Sequence, residues 1–117
     1  MQGSSHRIER LAEQIHGKLA VLITENLRDP RIVFPTVTRV ELSADLQHAR
    51  VYVGVLGAES EQRSTMEGLN SAAGYLRSEI SRGLRLRRAP EIVFVLDRGP
   101  EESLKIEKLI EELHKNG

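Results

Sequence analysis

Cysteine and tryptophan are both missing from this chain of 117 residues. Without thiols there are no disulfides, no thiol nucleophiles and no thiolate metal sites. That suits a reducing compartment, and the expected location is cytoplasmic. Aromatic side chains are few: Phe34, Tyr52, Tyr75 and Phe94. Proteins that capture successive unstacked bases need more rings, in adjacent positions, so sequence-specific capture of that kind is not expected. No apolar run approaches the roughly 20 residues that span a bilayer, and the opening MQGSSHRIERL lacks the uncharged apolar core of a secretory signal. The signatures HExxH, GxxxxGKS/T and GxSxG are absent, and His6, His16, His48 and His114 are scattered without metal-ligand spacing. The expectation is a protein that is not an enzyme, with no cofactor, metal, membrane partner or small-molecule substrate.

Nothing rich in Gly/Ser or Pro divides the chain, and its 39% hydrophobic and 29% charged residues are ordinary for a globular protein. One domain over residues 1–117 is expected. Ile8, Leu11, Ala12, Ile15, Leu19, Leu22 and Ile23 recur at three- and four-residue spacing, predicting an amphipathic helix from about Ser5 to Leu27. Ser5 is its expected N-cap. Asp29-Pro30 is its expected stop, because the residue before proline is driven out of the helical region.

Two strands follow. The stretch Ile32 to Ser43 is rich in β-branched residues and becomes regular after Pro35. Ala49 to Leu56 alternates, with Ala49, Val51, Val53 and Val55 on one face and Arg50, Tyr52 and Gly54 on the other. The short SADLQH link predicts an antiparallel hairpin, its sheet covered by helices on one side only.

From about Glu59 the helical period returns, and Met66, Leu69, Ala73, Leu76, Ile80 and Leu84 form one apolar seam. Gly74 interrupts it, at a cost of about 1 kcal/mol relative to alanine. A break at Ala72-Ala73-Gly74 is therefore expected. Glu91 to Leu96 predicts a third strand, the most buried of the three. Gly99-Pro100-Glu101-Glu102 opens a last helix, with acids in its first turn. Ile106, Leu109, Ile110 and Leu113 supply its apolar face. The order is helix, strand, strand, helix, kink, helix, strand, helix: an α+β fold.

Charge is distributed unevenly along this nominally neutral chain. Ala72 to Pro90 holds five arginines against the single Glu79, whereas Gly99 to Gly117 holds three lysines against five glutamates. Partners respond to local potential rather than to the total. On a helical wheel Leu76, Ile80 and Leu84 share one side, and Arg77, Ser78, Ser81, Arg82 and Arg85 share the other. Arg87 and Arg88 carry the charge into the next loop. Guanidinium forks bind phosphate oxygens and serine hydroxyls add hydrogen bonds. Small residues at Ser71, Ala72, Ala73 and Gly74 admit a close backbone, and the second helix would aim its anion-favouring N-terminus there. This pattern suits the backbone of folded RNA, with Arg77 and Arg85 expected to be exposed. A bland alternative for the break is that Gly74 simply permits close helix–sheet packing.

Several stretches resemble one bacterial family, ribosome-binding factor A. They are Asp29-Pro30-Arg31 with FPTVTRVELS, the run Ser43-Ala44-Asp45-Leu46-Gln47-His48-Ala49-Arg50-Val51-Tyr52-Val53, Gly74-Tyr75-Leu76-Arg77, Leu86-Arg87, and Pro90-Glu91-Ile92-Val93-Phe94. The likeness runs from about His6 to the last helix. It implies a single KH-type domain of the second (type II) topology, α-β-β-α-kink-α-β plus a C-terminal helix, with a three-stranded sheet covered by helices on one face. In that family an Ala-x-Gly kink replaces the usual GxxG loop, and Ala72-Ala73-Gly74 matches it. The implied function is late assembly of the small (30S) ribosomal subunit through 16S rRNA, with rRNA processing assisted. The expected partner is that subunit, including neighbouring ribosomal proteins, and the expected state is a monomer.

Arg77 and Arg87 lie in matching stretches, while Arg82, Arg85 and Arg88 rest on charge alone. Arg31 is a further candidate contact, or else a structural partner of Asp29, and Arg7 and Arg10 on the first helix complete the set. A rival function is a protein–protein interaction module, using the sheet face of Arg50 and Tyr52 or the apolar stripe of the last helix. Its basic helix would then meet an acidic partner.

Overall fold

The computed structural model describes residues 2–99 and 108–114, with side chains from His6 onward. Helix α1 spans Gln2–Glu25, so Ser5 lies inside it and does not cap it. The helix ends before Asp29-Pro30, and the Asn26 N–H makes the last helical bond, to Leu22 O at 2.9 Å. Its apolar spacing holds: Ile15, Leu19, Leu22 and Ile23 are all buried. Each such side chain contributes about 1.5–3 kcal/mol when fully removed from water.

Strands β1 (Thr36–Leu42) and β2 (His48–Gly54) form the antiparallel hairpin, and β3 (Glu91–Leu96) lies parallel to β2. The sheet order is β1-β2-β3. The most buried strand is therefore the central β2, where Ala49, Val51 and Val53 are wholly inaccessible. β3, expected to be the deepest, is an edge. A strand neighbour on each side is a property of pairing that hydrophobicity along one strand does not encode. β1 also departs from regular alternation: Val37 and Val40 are both buried although three residues apart. A register shift between Val37 and Arg39 puts an extra residue into β1 and brings both valines to the same face.

A parallel β2–β3 pair needs a crossover, and helices α2 (Glu59–Ser71) and α3 (Ala73–Gly83) supply it. Both pack on β3, while α1 packs on β1 and α3. Leu69, Leu76 and Ile80 fill the space beneath, as their seam predicted. The opposite sheet face carries Arg39, Glu41, Arg50 and Tyr52 and has no helix over it among the described residues.

Residues 108–114 are helical, with Leu109, Ile110 and Leu113 exposed. The expected start of that helix at Pro100-Glu101-Glu102, and Ile106, lie outside the described residues.

Candidate nucleic-acid interface

One residue separates α2 from α3. Ala72, at φ −90° and ψ −3°, donates its N–H to Gly68 O (3.2 Å) and Leu69 O (3.0 Å), and its own carbonyl accepts from Leu76 N–H at 2.9 Å. Just before it, the Ser71 hydroxyl donates to Glu67 O at 3.0 Å, a back-bond that bends helices. Alanine offers no side-chain acceptor, so no side chain caps α3.

Gly74 sits in the first turn of α3, and a Cβ built there would meet nothing within 4 Å. The packing explanation for this glycine therefore fails. Gly74 leaves the start of α3 open to a ligand. The glycine that packing does require is Gly68, where a Cβ would lie 2.6 Å from Ile32 Cγ1 and 3.3 Å from Asp29 Oδ2. A glycine one turn before a predicted break was the available signal for that close approach.

The five arginines take different parts. Arg77 is half-buried, and its Nε donates to Ala89 O at 2.9 Å, fastening α3 to the lead-in of β3. It was expected to be exposed, but the loop before Pro90 folds back over it. Ser81 is likewise occupied, its hydroxyl donating to Leu86 O at 2.8 Å. Arg82 is exposed beside Glu79, at 3.3 Å, a surface pair of small energetic weight. Arg87 and Arg88 are exposed in the loop. Arg88 borders a groove of about 340 Å³ shared with Asp45, His48 and Glu91, so its surroundings are not uniformly basic.

Arg85 is no longer on the helix, and its place on the wheel does not apply. It adopts φ 54°, while Leu86 N–H reaches Ser81 O (2.9 Å) and Arg85 N–H reaches Arg82 O (3.4 Å). These bonds make a Schellman turn, with arginine at the left-handed position where glycine is usual.

Tyr75 and Asn26 meet at 3.4 Å, and Lys18 lies against Gly83, so α1 runs antiparallel to α3. A Cβ at Gly83 would stand 2.6 Å from Lys18 Cε and 3.1 Å from Nζ. The ammonium thus rests at the C-terminus of α3, which favours a cation. Lys18 joins the basic edge by tertiary contact, and nothing in its own segment signals this. Arg7 and Arg10 are exposed further along α1, about 12–16 Å beyond Lys18 at 1.5 Å per residue.

Arg31 is held in a fork by Asp29, with Nη2–Oδ2 at 2.7 Å and Nε to both oxygens at 3.1 Å. This hydrogen-bonded guanidinium holds the Asp29 carboxyl below its ordinary pKa. The Arg31 carbonyl accepts from Ser64 Oγ (3.0 Å) and Thr65 Oγ1 (3.3 Å). Of the two roles expected for Arg31, the structural pairing with Asp29 is present. On the open sheet face, Arg39 lies 4.1 Å from the Tyr52 ring centre and 3.0 Å from Glu41, which also neighbours Arg50 at 3.8 Å. Those two arginines face an acid and a ring of their own sheet.

The strand order, the parallel and antiparallel pairings and the single-residue break before an uncapped helix define a KH-like α+β domain with an Ala-x-Gly kink. The profile of the family described as Ribosome-binding factor A matches residues 7–110. A ribosome-binding factor A from Caldanaerobacter subterraneus subsp. tengcongensis is 42% identical over 116 residues, covering 98% of this chain and 95% of that protein. A Thermotoga maritima structure described as a ribosome-binding factor A has a TM-score of 0.72 at 43% identity, covering 81% of this chain and 91% of the other. A homology model of the Thermus thermophilus ribosome-binding factor A, fitted into a cryo-EM map of that factor's complex with 30S, has a TM-score of 0.63 at 32% identity, covering 74% of this chain and 90% of the other. The chain belongs to the ribosome-binding factor A family.

Proposed function

We propose that this protein is a cytoplasmic, monomeric assembly factor that binds the free small ribosomal subunit through 16S rRNA. It assists late maturation and processing of that rRNA by binding, with no catalytic step of its own. The observation that carries this is one edge of α3: an open, uncapped first turn at Gly74, followed by the exposed Arg82, Arg85 and Arg87. The Thermus thermophilus relative, fitted into a 30S complex, supports the choice of partner.

Co-sedimentation with isolated small subunits and, separately, with assembled ribosomes tests it. Pelleting with the free subunit alone is expected. Equal pelleting with both would mean nonspecific RNA affinity, and pelleting with neither would remove the ribosomal partner. Arg82→Glu with Arg87→Glu should weaken subunit binding about tenfold or more, because it places acids where phosphates are to bind. Circular dichroism should show an unchanged fold.

One observation favours a second contact, with protein: Leu109, Ile110 and Leu113 stand exposed on the helical residues 108–114. Association that survives nuclease treatment would support it.

A further inference from the structure

Lys18 is a half-buried cation with no acid of its own. Among the described residues no carboxylate pairs with its ammonium, and the side chains one turn away on α1, Gln14, Ile15, Val21 and Leu22, are uncharged. Glu79, the one acid on α3, is turned to Arg82 at 3.3 Å. Nor does α3 need Lys18 to close its end. Ile80 O, Ser81 O and Arg82 O accept from the Leu84, Leu86 and Arg85 N–H groups of the terminal turn. What admits the lysine is room: Gly83 has no side chain, and Lys18 Cε lies 2.6 Å from where its Cβ would stand.

The charges of α1 are sorted about the helix. Lys18, Gln14, Arg10 and Arg7 lie within about 80° of one another around its axis, whereas Glu13 and Glu9 lie roughly 140–180° from Lys18. Those two acids border a groove with Thr38 and Arg39 of β1. So α1 turns acids to β1 and cations to the side of α3. Because α1 is antiparallel to α3, the stripe from Lys18 to Arg7 begins where α3 stops and runs on past it. A line of cations thus passes from Arg82 and Arg85 to Lys18 and on to the exposed Arg10 and Arg7. No large apolar side chain is exposed between residues 7 and 18 or between 82 and 88.

We infer that Lys18 binds an rRNA phosphate at the junction of α3 and α1, and that the RNA backbone leaves α3 there and continues along Arg10 and Arg7. This rests on the α3 edge being the rRNA site. The C-terminal end of a helix repels an anion, because its carbonyls carry the negative end of the dipole. Arg82 and Arg85 stand at that end, and the Lys18 ammonium offsets the repulsion where phosphates must pass. RNA is favoured over an acidic protein because the path has cations and no exposed apolar centre. Protein interfaces are built around an apolar centre poor in lysine, whereas phosphate and sugar take most of the hydrogen bonds to nucleic acid.

The test measures affinity for free small subunits and for protein-free 16S rRNA over a range of salt. Lys18→Met keeps the apolar stem and removes the charge. It should weaken binding to both probes about tenfold, the loss of one charge-assisted hydrogen bond, and lower the log–log salt slope by roughly 0.7–0.9. Gly83→Ala should act in the same direction without lowering the thermal midpoint, since its methyl displaces the flexible lysine stem and alanine is the better helix residue. Combined, the two should cost no more affinity than Lys18→Met alone. Arg7→Gln with Arg10→Gln should lower the slope as well.

Unchanged affinity and slope in Lys18→Met, while the Arg82/Arg87 double variant still loses binding, would overturn the inference and leave the α3 site standing. A thermal midpoint lowered at the same time would show the ammonium serving α3 alone. Full affinity in Gly83→Ala would also overturn the inference. So would loss on subunits with none on protein-free rRNA, which would make the partner a ribosomal protein, or failure of the unaltered protein to bind that rRNA. Full affinity and slope in the Arg7/Arg10 variant would overturn the continuation along α1. Unchanged affinity in every variant, Arg82/Arg87 included, would remove the α3 site too.

Discussion

Two glycines in the same helix–kink–helix are present for opposite reasons. Gly68 has Ile32 Cγ1 in the space a methyl would occupy, whereas Gly74 has open solvent. Gly68→Ala should therefore destabilise the fold by about 1–3 kcal/mol, the cost of overpacking. Gly74→Ala should stabilise it by about 0.5–1 kcal/mol, because alanine is the better helix residue. Urea midpoints measure both. Binding should separate them again. Gly74→Ala narrows the approach to α3 and should lower subunit affinity while raising stability. If affinity is undiminished, the open first turn of α3 does not touch the RNA.

At the scale of the element, α3 is defined by how it starts and stops. It starts without a side-chain cap and stops in a Schellman turn with Arg85 at the left-handed position. A non-glycine residue costs about 1–2 kcal/mol there. Arg85→Gly should therefore raise the thermal midpoint, and it should weaken subunit binding by removing an exposed guanidinium from the basic edge. A stabilised variant with undiminished binding would show that Arg85 is only solvated. The charge of the same edge has its own signature. Removing Arg82 or Arg87 singly should reduce the steepness of the log–log salt dependence by roughly 0.7–0.9 for each phosphate left without its guanidinium. A slope that does not change would mean that neither residue touches the RNA backbone.

Over the whole molecule, three aspartates, Asp45 exposed and Asp29 and Asp97 half-buried, fasten the loops that join the layers. Arg31 holds Asp29, the Ser43 hydroxyl donates to Asp45 at 2.6 Å, and the Thr38 hydroxyl donates to Asp97 at 2.7 Å, tying β1 to the exit of β3. These hydrogen bonds lower each carboxyl below its ordinary pKa. A folded-state pKa below the unfolded value adds stability that is complete above the unfolded value, about 3.9 for aspartate, and is lost as pH falls through the folded one. Stability should then be insensitive to these groups between neutrality and about pH 5 and decline below about pH 4. Asp97→Asn should flatten part of that acid decline. Urea unfolding across the acid range measures it, and an identical decline in Asp97→Asn would show that this carboxylate does not contribute.

The order of elements, the break at Ala72-Ala73-Gly74 and the apolar seam through Leu69, Leu76 and Ile80 were legible in the sequence. They depend on periodicity and backbone preference, which act between near neighbours. The concentration of arginine after the kink was legible for the same reason. Tertiary structure decided what proximity in the chain cannot express. It put β2 rather than β3 at the centre of the sheet, because pairing partners come from distant segments. It withdrew Arg77 to Ala89 and Ser81 to Leu86, because unpartnered loop carbonyls had to be satisfied where the chain turns back. It gave Lys18 a place at the end of α3 and left Phe34 exposed in the loop before β1. Charge and hydropathy travel with each residue, but which of them face a partner depends on the surfaces left over once the core and its hydrogen bonds have formed.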